Sequence, residues 1–247
     1  MTKPFDEEVE ARIVANRRNA ALRKAADTFM RESTGPKYSY NFSWLGRPII
    51  QYPQDIVAMQ ELVWAVQPDL IVETGIAHGG SLIMYASLLE LNAACGGPPD
   101  SRVVGVDIDI RAHNRAAIEG HPMSRRITMI EGSSVDPVVV AQVKEAAAGH
   151  ERVLVCLDSN HTHAHVLAEL QAYAPMTSVG SYCVVFDTVI EDLPEGMFPD
   201  RPWGPGDNPK TAVLEYLGSH SEFEIDRRIE DKLLVSVAPG GYLKRVG

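Results

Sequence analysis

The sequence predicts one doubly wound α/β domain on a mostly parallel sheet, with an antiparallel last strand and an N-terminal helical extension. Three observations carry that reading. From Leu70 onward, short apolar runs of strand length alternate with amphipathic runs of helix length, the pattern of repeated βα units covered on both faces. The stretch Val72-Glu73-Thr74-Gly75-Ile76-Ala77-His78-Gly79-Gly80-Ser81 reads as strand, glycine turn and helix. The chain has 247 residues, 45% of them hydrophobic, enough for one large core.

The elements follow in order. Residues 7–31 carry apolar positions at helical spacing (Val9, Ile13, Ala20, Leu22, Ala26, Phe29), interrupted by polar Asn16, and predict a helix outside the sheet. Residues 1–35 are assigned to this extension and 36–247 to the main domain. Residues 38–48 are expected to form an aromatic loop that includes Trp44. A helix runs from Gln54 to Val66, with Pro53 near its start. Strands are expected at 70–73, 103–106, 127–130, 153–157 and 182–186. The helices between them fall at 81–91, 113–118, 137–147 and 164–173. A long loop rich in Pro and Gly spans 187–208, and a helix covers 211–217. Two last strands, near 223–225 and 233–237, are expected to close a sheet edge as an antiparallel pair.

Composition removes several function classes. The formal net charge is −10, which disfavours nucleic acid as a partner, because phosphate binding needs a basic surface. No apolar run approaches a membrane span, and residues 1–8 show no signal-peptide core. The three cysteines, Cys95, Cys156 and Cys183, form no CxxC pair. Cys156 and Cys183 lie in apolar runs that read as core strands, so buried thiols are expected there, and a reducing cytoplasm fits.

Chemistry is expected at the carboxyl ends of the strands, the active rim of open α/β sheets. Glu73, Gly75 and Gly79 form an acid-first ExGxxxG turn, suited to a nucleoside cofactor approached closely by backbone. This differs from the GxGxxG turn of dinucleotide folds. At the second strand end, Asp107, or else Asp109, can accept ribose hydroxyls. Glu131-Gly132-Ser133-Ser134 ends the third strand. Asp158 ends the fourth and can bind a metal or touch a reacting hydroxyl, and His161 beyond it can act as general base. Three alternating histidines (His161, His163, His165) invite a zinc reading, but on a helix starting near His161 only His161 and His165 share a face and His163 points away. Asp187 ends the fifth strand, and with Asp158 it can offer oxygen ligands to Mg²⁺ or a similar hard ion. Trp203, in the long loop, can stack on a sugar or ring substrate. The alternative roles for these groups are helix caps and solvated turns, and for Trp203 an oligomer contact.

The acid-first turn resembles motif I of S-adenosylmethionine (SAM) methyltransferases. Taken together, several segments resemble the cephalosporin hydroxylase family over residues 35–240. They are Trp44-Leu45-Gly46, Glu73 through Ser81, Gly105-Val106-Asp107-Ile108-Asp109-Ile110-Arg111, Leu157-Asp158-Ser159-Asn160-His161, Ser178-Val179-Gly180-Ser181-Tyr182 and Asp187. Within that family, the 202–210 loop is most similar to deoxysugar and rhamnosyl O-methyltransferases. The resemblance implies a Rossmann-like SAM methyltransferase fold and methylation of a sugar hydroxyl. It implies a SAM site drawing on Glu73, Gly75, His78, Gly79, Ser81, Asp107, Asp109, Ser133 and Asp158, with Ser133 near the adenine. It places Asp158, His161 and Asp187 at the reaction, Asp158 and Asp187 on a divalent cation, and Trp44, Asn160 and Trp203 against the acceptor. The acceptor would be a nucleotide sugar or a glycoside of natural-product, antibiotic or glycolipid biosynthesis, and the protein a higher homo-oligomer. One departure concerns the cation: some relatives carry Glu-Asp where this chain has Phe186-Asp187, so one carboxylate ligand is lost. Oxygenase chemistry would need two histidines and a carboxylate on one iron, and the only match, His220-Ser221-Glu222, has no later histidine. An NAD-dependent oxidoreductase on the same sheet and a non-catalytic SAM-binding subunit are the competing readings.

Overall fold

The computed structural model describes residues 3–247. Met1 and Thr2, at the head of the segment read for a leader, lie outside the described residues. Two helices, α1 (Lys3–Arg18) and α2 (Ala20–Thr34), stand where one was expected. The break falls at Asn19, whose side-chain oxygen accepts from Leu22 N at 3.0 Å and caps α2. Asparagine starts a helix better than it continues one, because its side chain competes for backbone donors.

The expected aromatic loop is instead a 3₁₀ turn over Tyr38–Asn41 and a hairpin of β1 (Phe42–Trp44) and β2 (Arg47–Ile49). Leu45 and Gly46 form its two-residue turn, both at positive φ. That turn type normally recruits Asn-Gly, so leucine in its first place hid it from the sequence.

The main body then runs α3 (Pro53–Val66), β3 (Leu70–Thr74), α4 (Gly80–Ala94), β4 (Arg102–Asp107), α5 (Ala112–Glu119), β5 (Ile127–Glu131), α6 (Pro137–Ala147), β6 (Val153–Leu157), α7 (His163–Tyr173), β7 (Tyr182–Val185), α8 (Pro209–Leu217), β8 (Phe223–Ile225), α9 (Arg227–Leu233) and β9 (Tyr242–Arg245). Among the described residues, seven strands form one sheet in the order β5-β4-β3-β6-β7-β9-β8. The first five are parallel, and β9 pairs antiparallel with both β7 and β8. Core side chains cover both faces. Ile71, Leu82, Tyr85 and Val184 lie on one, and Leu70, Val155, Leu170 and Tyr216 on the other.

One strand lies elsewhere than expected. Residues 233–237 do not pair; α9 ends at Leu233, and the strand is Tyr242–Arg245. Asp226 caps α9 by accepting from Arg228 N at 3.1 Å, which commits 227–233 to helix. The apolar residues after it are held by buried Asp55 of α3. Its carboxylate accepts from Ser236 Oγ at 2.6 Å, Val237 N at 2.9 Å and Tyr242 Oη at 2.8 Å. Burial, the largest cause, raises Asp55 to about 6 against these three hydrogen bonds. The N-terminal helices close against this corner. Arg228 pairs with Glu10, and Arg23 Nη1 lies 3.3 Å from Asp231 Oδ1.

Among the described residues, no helix is long and apolar enough to cross a membrane.

Candidate functional site

The parallel order β5-β4-β3-β6-β7 aligns the ends of five strands along one rim, near Ser133, Asp107, Gly75, Asp158 and Asp187. At about 4.8 Å between strands, that rim is roughly 19 Å long. The ladder continues past the strands. Gly75 N donates to Val106 O at 2.8 Å, Asp158 N to Thr74 O at 2.9 Å and Phe186 N to Leu157 O at 3.0 Å.

Gly75 is fixed by crowding and by backbone. Its φ is +93°, and a Cβ there would stand 2.0 Å from the Asp158 carbonyl oxygen. The glycine is therefore needed for the close pass of two strand ends, before any ligand is considered. Gly80 is tight for a similar reason, with a Cβ position 2.1 Å from Pro48 O in the hairpin. The turn between them is held by Asp107, whose Oδ2 accepts from Ile76 N at 2.8 Å and Ala77 N at 3.1 Å.

A cavity of about 990 Å³ opens over the centre of the rim. Gly75, His78, Ser81, Asp158, Asn160, His161, Asp187 and Trp203 all line it. Glu73, Gly79, Asp107, Asp109, Ser133 and Trp44 do not. Glu73 is 1% exposed and sits beneath the turn, where Ser81 Oγ donates to its Oε2 at 2.8 Å. Burial raises the Glu73 carboxyl to about 8, opposed by the Ser81 hydrogen bond and reinforced by the charge of Asp107. Asp109 is exposed and donates its N–H to Asp107 Oδ1 at 3.1 Å. Trp44 packs inward, its Nε1 donating to Ser87 Oγ at 2.9 Å. The hairpin turns the indole toward α4, and Trp44, expected against an acceptor, is absent from the cavity wall.

In the cavity wall, Asp158, His161 and Asp187 converge, with one ligand atom from each lying within 4.8 Å of the others. His161 Nε2 stands 3.2 Å from Asp187 Oδ2. Asp187 adopts a left-handed backbone, φ 56°, and makes no capping bond to the 3₁₀ turn it precedes. Aspartate is among the few side chains that tolerate that conformation, and the residue lines the cavity. Asp158 is pushed well above the usual carboxylate range, first by burial and then by the charges of Asp187 and Glu73. The other two alternating histidines turn elsewhere. His163 bonds Thr211 and Glu215, and His165 bonds Ser134 and Ser159.

The long loop is half anchored and half cavity wall. Glu191 Oε2 accepts from Gly206 N at 2.8 Å, and Asn208 caps α8 in a full capping box. Residues 197–203 face the cavity. There Trp203 stands edge-on to His161 at 5.2 Å and tilted on Phe198 at 4.7 Å.

Other cavity-lining residues carried no motif in the sequence. They include Met30 and Thr34 of α2, Gln51 before α3, and Arg201 of the loop. A hint for Gln51 was available: it is a lone amide inside the run Pro48-Ile49-Ile50-Gln51-Tyr52, where an uncharged polar side chain is out of pattern.

The residues present suit two guests. Backbone brought close at Gly75, beside the half-buried acids Asp158 and Asp187, suits a ligand that carries positive charge, such as SAM. Asp158 and Asp187 offer hard oxygen donors to a divalent ion, for which the His161 nitrogen is the least apt of the three. The departure at residue 186 is complete, because Phe186 is 2% exposed and belongs to the core.

A family model described as Rhamnosyl O-methyltransferase/CmcI matches residues 36–246. A rhamnosyl O-methyltransferase of Mycobacterium tuberculosis (strain ATCC 25618 / H37Rv) is 31% identical over 196 residues, covering 77% of this chain and 73% of the relative. One of Mycobacterium leprae (strain TN) is 27% identical over 204 residues, covering 82% of each. A solved CmcI structure with Mg and SAM superposes with a TM-score of 0.57 at 20% identity, over 84% of this chain and 78% of that one. The apo structure of CalS11, a TDP-rhamnose 3'-O-methyltransferase of calicheamicin biosynthesis, gives 0.55 at 17% identity, over 100% and 96%. Both likenesses show that the fold is shared.

Proposed function

This chain belongs to the Rhamnosyl O-methyltransferase/CmcI family, and from that premise we propose that its rim cavity transfers a methyl group from SAM to a sugar hydroxyl beside Asp158, His161 and Asp187. The observation that carries the reading is the convergence of those three side chains next to the glycine turn, in one cavity. SAM supplies an electrophilic methyl on a sulfonium and leaves as the neutral thioether. The chain's residues bring the alcohol to it. Trp203 and Phe198 offer an aromatic wall for a sugar ring. His161 takes the hydroxyl proton, and Asp187, 3.2 Å from its Nε2, neutralises the imidazolium that results. The edge of Trp203 limits rotation of that imidazole. The oxygen lone pair then forms the new C–O bond as the C–S bond breaks. Holding both partners in line supplies much of the rate.

Gly75, His78 and Ser81 would seat the methionine part of SAM from the cavity wall, with Glu73 and Gly79 shaping the turn behind them; Asp107 or Asp109 would meet the ribose and Ser133 the adenine along the rim beyond that wall. Asp158 and Asp187 would hold a divalent cation, whose chemistry when bound is to lower the pKa of an acceptor hydroxyl. Asn160 lines the acceptor side. CalS11's substrate and the rhamnosyl relatives support a deoxysugar acceptor, nucleotide-linked or already in a glycoside, in antibiotic or glycolipid assembly. Free Cys95, Cys156 and Cys183 are in keeping with a reducing cytoplasm, and a higher homo-oligomer is the expected assembly.

The test is incubation with methyl-labelled SAM and a panel of nucleotide sugars and rhamnosides, using wild type and Asp158→Ala. Label should enter one sugar hydroxyl with wild type. Asp158→Ala should lose turnover by at least about a thousandfold, an effect of the size that removing charge stabilisation causes, while still binding SAM. Labelling by the variant at the wild-type rate would refute the assignment, as would wild type that leaves every sugar unlabelled.

A further inference from the structure

Gln51 is a buried amide with half of its bonding left open. It is 6% exposed, lies between β2 and α3, and lines the same cavity as Asp158 and Asp187. Its Nε2 donates to Asp158 Oδ2 at 3.3 Å, beyond the usual length of such a bond. Its Oε1 is buried and has no partner among the described residues. An unsatisfied buried acceptor costs about 1–3 kcal/mol; no partner among the described residues holds this oxygen where it lies, so the amide is free to turn it toward Asp158.

We propose that the side-chain carbonyl of Gln51 is an oxygen ligand to the divalent cation held by Asp158 and Asp187. This rests on the cation reading given above. Three features favour it. First, turning the Gln51 amide by 180° exchanges nitrogen for oxygen and sets a carbonyl oxygen 3.3 Å from Asp158 Oδ2. Neighbouring ligands of an octahedral ion at about 2.1 Å are roughly 3 Å apart, so the two oxygens have the separation of a shared ion. Second, the ligand set lacks an oxygen. Phe186 is sealed in the core, and hard cations accept amide carbonyls alongside carboxylates. Third, the same amide serves both states. Its N–H₂ faces Asp158 when no ion is bound, and its carbonyl faces the ion when one is. The open carbonyl could instead receive the ammonium of SAM or a sugar hydroxyl, and the test separates these.

Mn²⁺ binding is measured by electron paramagnetic resonance on the full chain, without SAM or acceptor, for wild type, Gln51→Leu and Gln51→Glu. SAM affinity is measured by calorimetry on the same three proteins. The expected result is Mn²⁺ binding by wild type, weakened at least about tenfold in Gln51→Leu, the lower end of losses when even a supporting partner of a metal site is removed. Gln51→Glu, which adds a charged oxygen at the same place, should bind Mn²⁺ at least as tightly as wild type. SAM affinity should stay within about twofold throughout, well under the 1.4 kcal/mol of a tenfold change. Equal Mn²⁺ affinity in wild type and Gln51→Leu overturns the inference alone, as does a loss confined to SAM. Failure of wild type to bind Mn²⁺ overturns it together with the cation reading. Should Gln51→Leu not fold, Gln51→Glu decides: weaker binding than wild type overturns the proposal.

Discussion

Replacing Glu73 with Gln should make the protein indifferent to a pH change that weakens wild type. Glu73 is 1% exposed, and burial raises its carboxyl from the ordinary 4.5 to about 8. Between those values the folded chain holds a proton that the unfolded chain has released. Stability therefore falls as pH rises from 4.5, and levels off above about 8. At 1.36 kcal/mol per tenfold change in dissociation, the full span is about 5 kcal/mol, and the part between pH 6 and pH 9 is about 2.7 kcal/mol. Glutamine mimics the protonated acid in shape and bonding and has nothing to ionise. It can still accept from Ser81 Oγ, which lies 2.8 Å from Glu73 Oε2. Urea denaturation at pH 6 and pH 9, without SAM, gives the difference directly. The two proteins should match within about 1 kcal/mol only below pH 4.5, as for an isosteric swap. At pH 6 the Gln form should be the more stable by about 2 kcal/mol, and at pH 9 by about 5 kcal/mol. Parallel curves for the two proteins would show that Glu73 is ionised in the fold, and the argument from its burial would fail.

Three other outcomes follow from the geometry. Gly75→Ala forces a Cβ to within 2.0 Å of the Asp158 carbonyl at a left-handed position; it should cost roughly 3 kcal/mol or more, read as a lower denaturation midpoint and weakened SAM binding. Asp55→Ala leaves the Ser236, Val237 and Tyr242 donors without their acceptor; a loss of about 3 kcal/mol or more is expected, checked by thermal melting, and unchanged melting would refute it. Trp203→Ala should raise the KM for the sugar about tenfold, the 1.4 kcal/mol scale of an aromatic contact, while the KM for SAM stays within twofold; equal rises in both would place Trp203 outside the acceptor side.

The parallel half of the sheet was readable because each strand is a short apolar run closed by an acid or glycine. Residues 153–157 and 137–147 fall where alternation and Pro137 put them. Convergence of Asp158 and Asp187 was readable for the same reason, since adjacent parallel strands deliver their ends to one rim. What escaped depends on tertiary partners. The hairpin at 42–49 has three-residue strands and a leucine in its turn. The last strand, Tyr242-Leu243-Lys244-Arg245, competed with a more apolar segment at 233–237, which Asp55 holds from 181 positions away in sequence at Ser236. Trp44 was expected in a loop against the acceptor, because nothing local announces its bond to Ser87. Gln51 has no motif at all; only a three-dimensional neighbour gives its amide meaning.

The position of α2 bears on how this molecule can be shortened. Met30 and Thr34 stand on the cavity's border, ahead of the first family-matched residue, 36. A version trimmed to the matched region would retain every rim carboxylate and the whole sheet, yet have one flank of its vestibule missing. Trimming would also strip Ser33 from the Tyr52 hydroxyl, 2.8 Å away, so the shortened chain would lose a buried bond along with that wall.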